Sequence, residues 1–143
     1  MRYLPVCFLV AALLGGCMND TKSGAGAASG AVNDPSKFTS IQWIDSVKDF
    51  GKIQEGQKLE VSFRFRNTGD KPLVIAHVQP SCGCTVAEES NEAVAPGAEG
   101  QIKATFNSEG KVGTNHKTLT VTANTKGTQN HSLQFVVQVE KKP

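Results

Sequence analysis

From Phe38 onward, apolar and polar side chains alternate with a period of two. In residues 59–66, Leu59, Val61, Phe63 and Phe65 fall on one side and Glu60, Ser62, Arg64 and Arg66 on the other. That pattern predicts a strand with one face in a core and one in water. Residues 101–107 repeat it with Ile102, Ala104 and Phe106 inward. Residues 117–123 do so with Leu119, Val121 and Ala123 inward and Thr118, Thr120 and Thr122 outward. The last strand sets Leu133, Phe135, Val137 and Val139 on one face. Residues 73–78 are almost wholly apolar, which predicts a strand covered on both faces. Weaker strands are expected over residues 41–44, with Trp43 in the core, and around residues 50–53.

Turn chemistry separates these runs. Asn67-Thr68-Gly69-Asp70, Ala95-Pro96-Gly97-Ala98-Glu99-Gly100, Ser108-Glu109-Gly110 and Asn124-Thr125-Lys126-Gly127 supply residues that tolerate or preset the φ values of tight turns. No long stretch carries a helical period of 3.6. The expectation is an all-β domain over residues 38–143, an immunoglobulin-like antiparallel β-sandwich of about seven to eight strands. A core of that size supports folding without disulfide staples.

The first residues read differently. Arg2 precedes a short apolar run over residues 4–14, interrupted by Pro5 and ending in Leu14-Gly15-Gly16-Cys17. The run is too short for a stable transmembrane helix and stands where a signal peptide stands. A large aliphatic residue, two small ones and a cysteine resemble the bacterial lipobox. That resemblance implies cleavage after residue 16 and lipidation of Cys17. Residues 1–16 are therefore expected to be a signal peptide and residues 17–37 a lipidated cysteine with a flexible tether, since this Gly/Ala/Ser-rich stretch buries too little to offset chain entropy. Met18, rather than Asp, follows the cysteine. By resemblance to lipoprotein sorting in two-membrane bacteria, this favours the outer membrane.

Charge narrows the partners. The chain has 15 Lys and Arg against 13 Asp and Glu, and the leader takes Arg2 with it. The remainder is near neutral and has no basic tract, which argues against nucleic-acid binding through phosphates. The membrane is expected to be reached through the lipid.

One motif carries distinctive chemistry, Ser81-Cys82-Gly83-Cys84-Thr85. Of four cysteines, Cys7 leaves with the leader and Cys17 takes the lipid, so Cys82 and Cys84 remain in an oxidising envelope. In an extended chain their Cα atoms stand about 6.6–6.8 Å apart on one face, at the upper edge of disulfide geometry. Gly83 can bend the chain and shorten that distance. Three readings stay open: a tightly packed structural corner, thiol–disulfide chemistry, and soft-metal binding of Cu(I) or Zn(II). A zinc site would have to recruit His77, His116 or His131. Taken singly, each of these reads as a solvated or hydrogen-bonded surface residue. Glu88, Glu89 and Glu92 read as a solvated acidic stretch.

Asn67 to Ile75, the SCGCT block at residues 81–85, Pro96-Gly97, and the stretch from Gly113 through Lys117 to Asn124 together resemble a family of bacterial envelope proteins without an assigned activity. That family carries the SCGCT motif in an immunoglobulin-like domain related to Hydin-type domains. The resemblance covers roughly residues 41–140. It implies a β-sandwich at the cell surface or in the periplasm and implies no activity.

No nucleophile elbow, zinc-protease motif, phosphate loop or dinucleotide fingerprint occurs, and no cofactor is expected. The expected function is a non-enzymatic binding or structural module. Its partner would be an envelope protein or polymer, engaged by loops or an exposed edge strand. The rival expectation is a thiol-redox or copper- or zinc-handling lipoprotein using Cys82 and Cys84.

Overall fold

The computed structural model describes residues 30–88 and 92–143. The expected signal peptide, Cys17, residues 17–29 of the expected tether and Glu89 lie outside the described residues. Eight strands follow in order: β1 (Ile41–Trp43), β2 (Val47–Gln54), β3 (Lys58–Asn67), β4 (Ile75–Pro80), β5 (Thr85–Ala87), β6 (Glu99–Asn107), β7 (Gly113–Ala123) and β8 (Asn130–Glu140). They form two four-stranded sheets, one in the order β1-β3-β6-β5 and the other β2-β8-β7-β4. The product is the expected immunoglobulin-like β-sandwich. One pairing departs from the antiparallel expectation, because β2 runs parallel to β8.

The alternation in residues 59–66 becomes the buried–exposed alternation of β3, where Val61, Phe63 and Phe65 are buried and Arg64 and Arg66 exposed. The inward residues of both sheets meet in one core. Phe106 packs edge-on against Phe135 with centroids 5.9 Å apart, and Phe135 against Phe50 at 6.0 Å. Such tilted contacts suit the quadrupoles of the rings.

The period of two fails at two edge strands, for one reason. In β4, Ile75 and Val78 are both buried although three residues apart, and the register with β7 shifts between Ile75 and His77. In β2, Phe50 and Ile53 both pack on the core across a shift between Asp49 and Lys52. There Gly51 adopts φ 64° and donates its N–H to Asp49 Oδ1 at 2.8 Å. A bulge adds one residue to the strand and returns the next apolar side chain to the core. The bulge also corrects the reading of residues 73–78. β4 is not covered on both faces: it is an edge strand with His77 and Gln79 exposed. Strand β5 had no signature in the pattern.

The folded region also begins before residue 38. Residues 30–37, expected in the tether, lie against the sandwich, with Ala31 and Val32 buried. Val32 O accepts a hydrogen bond from Gln129 Nε2. Asp34 caps the 3-10 turn Pro35–Lys37 by accepting from Ser36 N at 3.0 Å.

Two buried asparagines close that end of the sandwich. Asn67 Nδ2 donates to Lys71 O (2.7 Å) and Val94 O (2.9 Å), while its Oδ1 accepts from Thr39 Oγ1 (2.9 Å) and Gly69 N (3.1 Å). Asn124 Nδ2 donates to Lys37 O and Pro72 O, and its Oδ1 accepts from Val74 N at 2.7 Å. A Cβ on Gly69 would stand 2.1 Å from Thr39 Oγ1 and 2.5 Å from Ser40 N. This glycine is fixed by close approach rather than by φ.

Phe63 is fully buried, whereas Arg64 is exposed and bonded to Asp45 at 2.9 Å. Phe63→Ala is expected to destabilise the domain by about 3–5 kcal/mol through the cavity it leaves. Arg64→Ala is expected to shift the denaturant midpoint far less, because its ion pair with Asp45 is exposed to water. Equal shifts of the two denaturant midpoints would show that the β3 register is wrong.

Candidate functional site

The cysteine motif lies where the chain leaves one sheet for the other. β4 belongs to the second sheet and β5 to the first, and residues 81–84 are the crossover between them. Cys82 and Cys84 are joined in a disulfide with Cα atoms 5.3 Å apart. Both are half-buried, and Cys84 packs against the core. Thr85 N donates to Cys82 O at 3.2 Å, closing a turn around the ring. Gly83 is not in the left-handed region, and a Cβ there would meet nothing within 4 Å. The glycine is therefore not what bends this chain.

The crossover is pinned from both sides. Ser81 N donates to Thr118 O at 2.9 Å on β7, and Asn107 N at the end of β6 donates to Cys84 O at 2.8 Å. These bonds hold the turn in place independently of the S–S link.

Leaving the sheet at Ser81 has a consequence for β7. Thr118 accepts from Ser81 N and donates its own N–H to Ser81 Oγ at 3.2 Å, so both its main-chain groups point toward β4. Opposite it on β8, Gln134 donates its N–H away from β7, to Ser46 O at 2.8 Å, which fixes the same parity. Main-chain direction alternates along a strand. The N–H and C=O of His116 and Thr114 therefore also point to the β4 side. β4 ends at Pro80, paired with Leu119, and no described strand lies beside His116 or Thr114. The result is an open half-edge, flanked by Val112, exposed at 55 %, and by Lys117, whose Nζ stands 5.8 Å from the centre of the Phe106 ring. Sequence pattern missed this edge, because pairing partners are not written in alternation.

The other candidate residues fall elsewhere. His77 is on β4, bonded to Gln79 Oε1 at 3.1 Å. His116 is exposed on β7. His131 is half-buried at the start of β8 against Trp43, with centroids 5.8 Å apart. Thr125 Oγ1 donates its single hydrogen to Thr128 O at 2.6 Å, so it accepts from His131 Nε2 at 2.8 Å. Trp43 is partly buried, packs edge-on against Phe65 at 5.5 Å, and leaves its buried Nε1 without a partner among the described residues. Glu88 and Glu92 are exposed and flank an open groove of about 850 Å3. Among the described residues, no three His, Cys, Asp or Glu side chains stand close enough to hold a metal ion.

Two expectations follow. A three-residue ring removes only about 1.6 kcal/mol of unfolded-chain entropy. The double variant Cys82→Ser, Cys84→Ser should therefore keep the fold and lose at most about 2 kcal/mol, and Gly83→Ala should be neutral. Loss of cooperative unfolding in the double variant would make the ring a structural requirement. Separately, burial pushes the His131 imidazole below its usual value. The unfolded imidazole protonates near pH 6.5 while the folded one resists. Stability is therefore unaffected by this group at higher pH and falls as pH drops from about 6.5 through the folded value. His131→Gln should flatten this part of a denaturation profile taken between about pH 7.5 and pH 5; an unchanged slope would contradict the assignment.

Comparison with known proteins adds the following. Residues 41–139 match a family described as protein of unknown function, DUF1573. No curated protein is similar enough to match the chain. Among solved structures, a protein of unknown function from Porphyromonas gingivalis W83 superposes with TM-score 0.63 at 14% identity, over 73% of this chain and 49% of that one. The chain thus spans about half the length of that protein. The ASH / PapD-like domain 7 of human CEP192 gives 0.58 at 12% identity, over 99% of this chain and 100% of that one. The YadV chaperone gives 0.52 at 16% identity, over 70% of this chain and 52% of that one. At these identities the likeness is one of fold.

Proposed function

This chain belongs to the DUF1573 family, described as protein of unknown function, and from that premise we propose that it is a lipid-anchored, non-enzymatic binding module of the cell envelope. Its partner is an extended segment of another envelope protein, added as a strand along the open half-edge of β7. The single observation that carries the reading is the outward-pointing N–H and C=O groups of His116 and Thr114 with no strand beside them. An added strand satisfies such groups by main-chain hydrogen bonds. The other edges are less receptive. β2 and β4 carry bulges, and β1 and β5 have three residues each; bulges and shortness are the usual protection of edges. What supports the anchor is the lipobox-like Leu14-Gly15-Gly16-Cys17, with Met18 favouring the outer membrane.

A second reading has its own observation. The Cys82–Cys84 ring is half-buried and the crossover is held without it, so opening the ring would leave the sheets paired. That would allow thiol–disulfide exchange at this turn.

Photo-crosslinking in native cells tests the first reading. A photoreactive residue at Thr114 is expected to capture one discrete envelope partner, and the same residue at Arg64 none. His116→Pro should abolish the capture, because proline removes an N–H that faces the open side while the β8 ladder keeps its bonds. Cys17→Ser should lose incorporation of labelled fatty acid. Capture unaffected by His116→Pro, or equal from both sites, would refute the edge. Equal label in Cys17→Ser would refute the anchor.

A further inference from the structure

The two sulfurs of the ring stand in unlike surroundings. Cys84 packs against the core, whereas Cys82 Sγ lies 3.8 Å from the hydroxyl of Thr85. Cys82 has no S–H in the disulfide, so the hydroxyl is the donor. Thr85 is only 5% exposed, and this sulfur is the one hydrogen-bond partner of its hydroxyl among the described residues. A disulfide sulfur is a weak acceptor and a thiolate a strong one. The buried hydroxyl is thus aimed at an atom that becomes a good acceptor only once the ring is open. Positive charge faces the same region. Lys117, next to Thr118 on β7, brings its Nζ to 5.8 Å from the centre of the Phe106 ring, and Phe106 is the register partner of Thr85. Strands β4 and β5, which the crossover joins, carry no carboxylate. A cation without a competing carboxylate favours thiolate over thiol.

We propose that the ring is a thiol oxidant whose substrate is a pair of cysteine thiols in a polypeptide, with Cys82 as the attacked sulfur and the Thr85 hydroxyl as the group that stabilises its thiolate. The inference deepens the thiol–disulfide reading of this turn and rests on it. A substrate thiolate attacks Cys82 Sγ; a new S–S bond forms and the ring S–S bond breaks. Cys84 leaves as a thiolate and takes a proton from water. The second substrate thiolate then attacks the substrate sulfur of this mixed disulfide and expels Cys82 as a thiolate, which accepts from Thr85 Oγ1. Two electrons have then passed from the substrate to the ring. The substrate holds a disulfide, and Cys82 and Cys84 are reduced.

The direction of transfer follows from what opening the ring leaves behind. Closure over three residues gains little entropy, and the bonds from Ser81 N to Thr118 O and from Asn107 N to Cys84 O hold the crossover without it. The reduced turn therefore keeps its place in the fold. A reduced form stabilised at one thiolate makes its disulfide a better electron acceptor. Access selects the sulfur. Gly83 is exposed, and a Cβ there would meet nothing within 4 Å, so a polypeptide can approach the ring from outside. Cys84 is sheltered on the core side, which leaves Cys82 to be attacked. The open half-edge of β7 begins at His116, two residues from the anchor at Thr118, and gives an extended substrate main-chain groups to pair with beside the sulfurs.

The test uses the full chain carrying Cys7→Ser and Cys17→Ser, held in detergent, so that the ring holds its only cysteines. Under anaerobic conditions the oxidised protein is mixed with an equimolar reduced peptide containing two cysteines, and both are followed by mass spectrometry after an acid quench. The peptide is expected to lose two hydrogens as the ring gains two. In the Cys84→Ser variant, Cys82 is expected to react with iodoacetamide at lower pH than Cys84 does in the Cys82→Ser variant. Thr85→Val should move the Cys82 profile to higher pH and slow peptide oxidation by about fivefold or more, because a hydrogen bond to a charged sulfur is lost. Thr85→Ser, which keeps the hydroxyl, should restore both. A ring that does not exchange even with glutathione would overturn the thiol–disulfide reading and this inference with it. Exchange with glutathione without oxidation of the peptide would overturn this inference alone. So would equal alkylation profiles for the two cysteines, or a rate and profile unmoved by Thr85→Val.

Discussion

Two buried amide side chains hold the arrangement together. Asn67 and Asn124 are shielded from water, and their bonds reach the N-terminal segment, the β3–β4 connection and the β5–β6 connection. An unmet buried amide is costly, whereas a fully bonded one fixes its partners in a single geometry. Three stretches of chain that carry no ladder of their own are thereby tied to the ends of β3 and β7. Gly69 belongs to the same device, since its missing Cβ is what lets the turn close on Thr39 and Ser40.

With that end fixed, the remaining freedom lies toward the opposite end, where β4 stops short. The bulge in β4 sets which of its residues reach the core, and the crossover at residues 81–84 sets where it leaves β7. The disulfide tightens this crossover without being its only support. The length of β7 left uncovered, and so the main-chain hydrogen bonding on offer there, is decided by that departure point.

β7 thus presents two chemistries at right angles. Its main chain is open along one edge, and its outward side chains, Thr118, Thr120 and Thr122, stand opposite Gln134, Ser132 and Asn130 of β8. The strand addition proposed above would use the first.

The sequence by itself determined the all-β class, the inward residues of β3, β6, β7 and β8, and the oddity of the SCGCT block. Alternation reports burial directly when both strand neighbours are in place, and those four strands are the inner members of their sheets. At β2 and β4 the alternation broke, because a bulge shifts the phase and nothing local announces it. Asn67 and Asn124 read as turn formers, since a propensity carries no information about partners distant in the chain. The parallel β2–β8 pairing, the inclusion of residues 30–37 and the short β5 were likewise decided by tertiary structure alone. So was the meaning of the cysteine motif: two cysteines two residues apart can pack, pair or bind metal, and only the crossover between two sheets joins them in a turn beside an open edge. Pattern fixes which side of a strand faces the core; which strands become neighbours, and which edge is left without one, depends on contacts between residues far apart in the chain.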